Sequence, residues 1–153
     1  MTTATIDKST TGSSTLQIAT FHVDNLLLGL QIHQVQEINR HLEVTAVPHS
    51  PRVVRGVINL RGEVVTVVDM RQVLGLPTAE LTKTSRNVVI HFGGELVGLM
   101  VDQIADILTI DANDIDPPPA NISGVDGRFF KGVHTTKDEI VVILDVDEAF
   151  SVS

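Results

Sequence analysis

The stretch from residue 56 to residue 76 constrains the fold more than any other part of the sequence. It holds two runs rich in β-branched side chains, residues 57–60 and 64–68, which suit the pleated surface of a sheet. Gly62 stands between the runs and can adopt a positive φ at little cost. The stretch therefore predicts a β-hairpin that presents Arg61 at its end.

A short helix is expected directly after this hairpin. Asp69 is a good helix N-cap, and residues 70–74 can form one or two turns before Gly75 and Pro77 end them.

The composition favours a β protein with an aliphatic core. The hydrophobic fraction is 42% and the mean hydropathy is +0.21, yet there is no Trp or Tyr and there are only 5 Phe. Valine-rich strands suit such a core. The length of 153 residues fits one domain, or two small subdomains that share a core.

The charge and the lack of cysteine exclude several classes of function. A net charge of −8 and a pI near 5.0 argue against partners that are nucleic acids or anionic membranes. With 0 Cys, disulfides, thiolate catalysis and iron–sulfur clusters are excluded. No apolar run approaches the ~20 residues needed to span a bilayer, and the N-terminus lacks a secretory pattern. We expect a cytoplasmic protein without direct membrane insertion.

Short strands separated by turns recur along the chain. Hairpins are predicted over residues 16–32 and over residues 86–101, and further strands over 43–47, 129–134 and 140–144. Residues 103–110 are predicted to continue the 86–101 hairpin as a strand. About ten strands and only a few short helical segments indicate an all-β sandwich or barrel. Residues 1–15 and 151–153 are predicted to be flexible tails.

The sequence offers no catalytic or cofactor-binding motif. The six His residues form no pair with the spacing of metal ligands. Neither glycine-rich phosphate-binding motif occurs, nor a G-x-S-x-G nucleophile elbow. Carboxylates cluster near turns and predicted helix starts, where capping explains them. These observations favour a binding module over an enzyme, with no metal site and no cofactor.

Residues 54–71 closely resemble the signature of the CheW chemotaxis adaptor family. That signature is a glycine, then Asn-Leu-Arg-Gly (residues 59–62 here), then an apolar strand ending in Asp and a short helix. Residues 35–38, 97–108 and 130–145 match other parts of the family pattern in the same order. The resemblance spans residues 16–150, which would form one CheW-like domain.

The resemblance implies two small five-stranded β-barrels that share a hydrophobic core, with short helices and no enzymatic activity. It also implies a cytoplasmic adaptor associated with membrane receptor arrays. Family members join the cytoplasmic tips of methyl-accepting chemotaxis receptors to the histidine kinase CheA, by binding the regulatory domain of the kinase.

Matching the family position by position yields two sets of candidate site residues. The receptor-facing set is Val35, Glu37, Gly56, Asn59, Arg61, Ile104 and Ile107. The kinase-facing set is Val44, Thr45 and Arg55. The resemblance further implies that Arg61 pairs with Glu37.

Two alternatives to a chemotaxis adaptor remain open on the sequence. One is a CheW-like scaffold in a non-flagellar chemosensory pathway, such as one that controls pili. The other is a β-barrel that binds a small ligand, which the lack of Trp and Tyr for base stacking disfavours.

Overall fold

The structure is a computed structural model that describes residues 14–150. This part of the chain contains twelve strands, of which ten are five residues or longer, and two short α-helices. The strands are β1 (Thr15–Val23), β2 (Leu26–Gln31), β3 (Val35–Asn39), β4 (Val54–Leu60), β5 (Glu63–Asp69), β6 (Arg86–Phe92), β7 (Glu95–Val101), β8 (Gln103–Asp111), β9 (Asn121–Ile122), β10 (Val125–Asp126), β11 (Phe130–Thr135) and β12 (Ile140–Leu144). The helices are α1 (Met70–Val73) and α2 (Val146–Phe150).

Ten of the strands form two five-stranded sheets. The first sheet has the order β11-β12-β2-β1-β8 and the second has the order β3-β6-β7-β5-β4. Each is mixed, because β12 runs parallel to β2 and β5 runs parallel to β7, whereas the other neighbours are antiparallel. The remaining strands, β9 and β10, pair only with each other.

Each sheet closes into a barrel through one backbone bridge between its two edges. In the first sheet, Asp116, which follows edge strand β8, exchanges two hydrogen bonds of 2.8 Å with Val133 on β11. In the second sheet, Thr45, which follows edge strand β3, exchanges two bonds of 2.9 Å with Val57 on β4. The prediction of two five-stranded barrels is therefore confirmed, and both edges of each sheet are protected.

The two barrels share one apolar core. Its largest cluster joins side chains of the first barrel, such as Phe21 and Leu28, to side chains of the second, such as Val88 and Leu99. Each barrel also has a smaller cluster of its own. Many strands are therefore apolar on both faces, which explains why their sequences are unbroken valine and leucine runs and not alternating ones.

The second barrel is an insertion between two strands of the first. Strands β3 to β7 lie between β2 and β8 in the chain, and all five belong to the second sheet. The chain enters the second barrel through the 3-10 turn Ile32–Gln34 and leaves it at Asp102. The chain thus passes between the two barrels twice.

Two predicted elements differ from the observed ones. Residues 103–110 do form a strand, but β8 pairs with β1 in the first barrel and does not continue the β6–β7 hairpin. Its inward side chains Ile104 and Ile110 pack in apolar clusters with side chains from strands of the first barrel. Residues 43–47 form no regular strand, because only Thr45 pairs and Pro48 follows at once.

The two predicted tails lie almost wholly outside the described residues. Only Ser14 and Thr15 of these tails are described, and Thr15 already begins β1. Between residues 14 and 150, no helix has the length and hydropathy that crossing a membrane requires.

Candidate functional site

The turn between β4 and β5 is a two-residue type I′ turn. Arg61 and Gly62 occupy its central positions with φ of 52° and 91°, and Leu60 pairs with Glu63 at its base. The Asn59 side chain accepts a hydrogen bond from the Gly62 N–H at 2.9 Å. The predicted hairpin is confirmed. The positive φ of Arg61 is an additional finding, because long side chains rarely adopt it.

Arg61 pairs with Glu37 on β3, as the resemblance implied. The Arg61 Nη2 donates to Glu37 Oε1, and the Asn39 side chain donates to the other oxygen, Oε2, at 3.1 Å. The hydrogen bond from Arg61, followed by that from Asn39, holds the pKa of Glu37 below its ordinary value. Glu37 is 24% exposed and Arg61 is 71% exposed. A charged carboxylate therefore anchors a guanidinium that still faces solvent.

This pair lies across the seam of the second barrel. Glu37 is on β3 and Arg61 follows β4, and these are the two edge strands of the sheet. The Thr45–Val57 bridge crosses the same seam. The pair therefore supports closure of the barrel as well as fixing the guanidinium at the surface.

Gly56 allows the Thr45 segment to approach β4. Gly56 is buried with a φ of 151°, and a Cβ atom there would lie 2.3 Å from the backbone oxygen of Thr45. The family resemblance assigned Gly56 to the receptor-facing set and Thr45 to the kinase-facing set. In the structure the two residues are direct neighbours.

Replacing Gly56 by alanine should destabilise the protein by about 1–3 kcal/mol, because the added methyl group meets backbone atoms that cannot easily move. Urea denaturation of the purified variant measures this. Gly98→Ala is the matched control in the same sheet, since the nearest atom to its Cβ is a Val67 methyl carbon at 3.4 Å. Equal urea midpoints for the two variants would contradict the predicted clash.

The other residues of the predicted kinase-facing set lie near the Thr45 bridge. Val44 is half-buried against the apolar cluster inside the second barrel. The Arg55 Nη1 lies 3.3 Å from Asp69 Oδ2, and Asp69 Oδ1 accepts the N–H of Arg71 at 2.9 Å, which confirms Asp69 as the N-cap of α1. The Arg55 side chain thus connects β4 to the start of α1.

The apolar members of the receptor-facing set are divided between the barrels. Val35, on β3, and Ile104, on β8, are half-buried and pack against the shared core. Ile107, further along β8, is 58% exposed. Glu37, Asn59 and Arg61 therefore belong to one end of the second barrel, whereas the two isoleucines belong to the first.

A group of charged residues that the sequence did not single out joins the two barrels. Arg71, in α1, donates through Nε and Nη2 to the two carboxylate oxygens of Asp102 at 3.1 and 2.8 Å. Its Nη1 donates to the Pro77 carbonyl at 3.0 Å and lies 3.8 Å from Asp24, in the β1–β2 turn. Asp102 also accepts the Asp24 N–H at 2.7 Å. No sequence spacing indicates this group, because its members come from three separate segments.

An open cleft of about 670 Å³ lies elsewhere on the surface. Phe92, Phe129 and Phe150 line it, together with valines of β5 and β7, and the rings of Phe92 and Phe150 meet edge to face at 5.6 Å. None of the ten predicted site residues lines this cleft.

Comparison with known proteins agrees with this architecture. The family model described as CheW-like domain matches residues 17–153. The chemotaxis protein CheW of Rhizobium meliloti is 34% identical over 134 residues, which are 88% of this chain and 86% of the relative. The CheW protein of Klebsiella aerogenes is 26% identical and covers 97% of this chain and 89% of its own length.

A solved structure has the same fold. The crystal structure of the scaffolding protein TtCheW from Thermoanaerobacter tengcongensis superimposes with a TM-score of 0.83 at 31% identity, covering 90% of this chain and 94% of that one. Sequence motif, fold and comparisons agree, and the chain belongs to the CheW-like domain family, a family of chemotaxis scaffold proteins.

Proposed function

We propose that the chain couples methyl-accepting chemotaxis receptors to a CheA-type histidine kinase. In this role it binds the cytoplasmic tip of a receptor through one surface and the regulatory domain of the kinase through another. It acts as an adaptor without enzymatic activity, in the cytoplasm and at receptor arrays on the membrane.

The observation that carries the proposal is the way in which Arg61 is held. The type I′ turn and the contact with Glu37 fix one edge of its guanidinium, while 71% of the side chain remains exposed. A guanidinium restrained in this way loses little conformational entropy when it donates to carboxylate or carbonyl oxygens of a partner. Ile107, which is 58% exposed, and the half-buried Val35 and Ile104 are proposed to add apolar area to the receptor-facing surface.

The kinase-facing surface is proposed to contain Val44, Thr45 and Arg55. The bridge to β4 uses only the backbone of Thr45, and its side chain is exposed. A substitution of this side chain can therefore alter a surface contact while the bridge persists.

Reconstitution tests the proposal. Membranes carrying a chemotaxis receptor, a CheA-type kinase and the purified chain are mixed, and both co-sedimentation and kinase autophosphorylation are measured. We expect the kinase to sediment, and to respond to the receptor ligand, only when the chain is present. Thr45→Arg should weaken binding of the isolated kinase regulatory domain about tenfold, because a bulky charge enters the interface.

The Thr45→Arg variant also separates the two surfaces. It should still bind receptor membranes as the wild-type chain does. An isolated chain that binds neither receptor membranes nor the kinase domain would contradict the proposed function. Loss of both contacts in a folded Thr45→Arg variant would contradict the division into two surfaces.

A further inference from the structure

Asn87 is a polar residue inside the second barrel. It is fully buried on β6, two residues before Val89, which belongs to the apolar cluster within that barrel. Residues two apart on a strand point to the same side of the sheet, so the amide of Asn87 points inward as well. A buried amide is costly unless its polar atoms find partners.

The nitrogen of this amide makes two hydrogen bonds. Asn87 Nδ2 donates to the His41 carbonyl at 2.6 Å and to Asn39 Oδ1 at 3.3 Å. Its oxygen, Oδ1, has no hydrogen-bond partner within the described part of the chain, residues 14–150. Within the described residues, the nitrogen of this buried amide therefore makes all of its side-chain hydrogen bonds, to the His41 carbonyl and to Asn39.

The contacts of Asn39 determine which way its own amide points. Asn39 Oδ1 accepts from the His41 N–H at 3.0 Å as well as from Asn87. Because two donors face this oxygen, the Nδ2 group must lie on the other side, where it donates to Glu37. Glu37 in turn accepts from Arg61. Asn87, Asn39, Glu37 and Arg61 are therefore linked in series by hydrogen bonds.

We propose that Asn39 and Asn87 are positioning residues for the receptor contact. They hold the Glu37 carboxylate, and through it the Arg61 guanidinium, in the orientation that a receptor meets. The inference rests on the proposed function. The inference adds to the proposed function an anchor inside the barrel, which holds a side chain at the surface.

The first test needs no partner protein. The pKa of the Glu37 carboxyl is measured by NMR titration in the wild-type chain and in Asn39→Ala, which removes the hydrogen bond to Oε2. We expect this pKa to rise toward its ordinary value. Gln36→Ala, at an exposed position on the same strand, is the control and should leave the Glu37 pKa unchanged.

Two further variants keep the test decisive if Asn39→Ala folds poorly. Asn39→Asp preserves the shape and the oxygen that faces His41 and Asn87, but it places a carboxylate against Glu37, so the pKa should rise further. Asn87→Leu keeps the barrel filled, frees the Asn39 amide and should move the pKa in the same direction. An unchanged Glu37 pKa in the folded variants would overturn the inference.

The second test measures receptor binding. Asn39→Ala should weaken co-sedimentation with receptor membranes about three- to tenfold, which corresponds to the net value of a typical single hydrogen bond. In a Glu37→Gln background the same substitution should have little further effect, because it acts through Glu37. Full additivity, or normal binding of Asn39→Ala, would overturn the positioning role. Normal binding of Arg61→Asn and Glu37→Gln would instead overturn the proposed receptor surface, whatever the titration shows.

Discussion

Replacing Arg61 by glutamate is expected to weaken receptor control of the kinase strongly while the protein remains folded. The substitution removes the guanidinium and places a second carboxylate beside Glu37, so the two repel each other and any acidic partner. Loss of a charged contact at the centre of an interface weakens binding about tenfold or more. Co-sedimentation and autophosphorylation in reconstituted receptor membranes measure the effect, and circular dichroism verifies the fold.

Arg61→Asn separates recognition from turn geometry. Asparagine adopts a positive φ more readily than arginine, and Asn-Gly is a favoured type I′ pair. The more favourable turn should offset the loss of the exposed ion pair with Glu37, so this variant should be about as stable as the wild-type chain and yet fail to couple receptor and kinase. Arg128→Glu is the matched charge control, because Arg128 is also an exposed arginine paired with an acidic residue, Asp126.

Two outcomes would contradict this interpretation of Arg61. Normal ternary assembly by Arg61→Asn would show that the guanidinium does not contact a partner. Unfolding of Arg61→Glu would show that closure of the barrel depends on this pair and that the effect of Arg61 on signalling is indirect.

Replacing Arg71 by methionine should destabilise the protein strongly. Arg71 is only 17% exposed, binds both oxygens of Asp102 and also reaches the Pro77 carbonyl. Methionine fills similar volume but leaves the carboxylates of Asp24 and Asp102 close together without a compensating charge. We expect a loss of about 2 kcal/mol in the free energy of unfolding, measured by urea denaturation.

Two controls identify the cause of that loss. Arg86→Met removes an arginine of the same barrel that donates to the nearby carbonyls of Lys83 and Ser85, and it should cost less. Asp102→Asn, added to Arg71→Met, should restore part of the lost stability because it removes an unpaired charge. A wild-type urea midpoint for Arg71→Met would refute the role of Arg71 in joining the barrels.

Local chemistry made much of the fold predictable from the sequence. The β-branched runs, Gly62 in the turn and Asp69 at the helix start are signals that depend only on neighbouring residues, and the structure confirms all three. The pairing of one strand with another is not predictable in this way. Strand β8 pairs with β1, far away in the chain, and nothing in its own sequence distinguishes that neighbour from β7.

The candidate site was less predictable for a related reason. The pairing of Arg61 with Glu37 followed from the family resemblance and not from spacing, since the two residues are on opposite edges of a sheet. Asn87 precedes an apolar run and reads as the start of a strand, so its inward amide was not expected. Contacts of this kind depend on how the barrel closes, which only the three-dimensional structure specifies.

The insertion of the second barrel limits how the molecule can move. The chain leaves the first barrel after Gln31, which pairs with Ile18, and returns at Gln103, which pairs with His22. These two positions on β1 are four residues apart, or about 13 Å along the strand. Two connections leave only rotation about the line that joins them, and the apolar core shared by the barrels and the contacts between Arg71 and Asp102 oppose that rotation. We therefore expect a force applied to the second barrel to displace the molecule as a whole, so that the protein acts as a rigid coupling and not as a hinge.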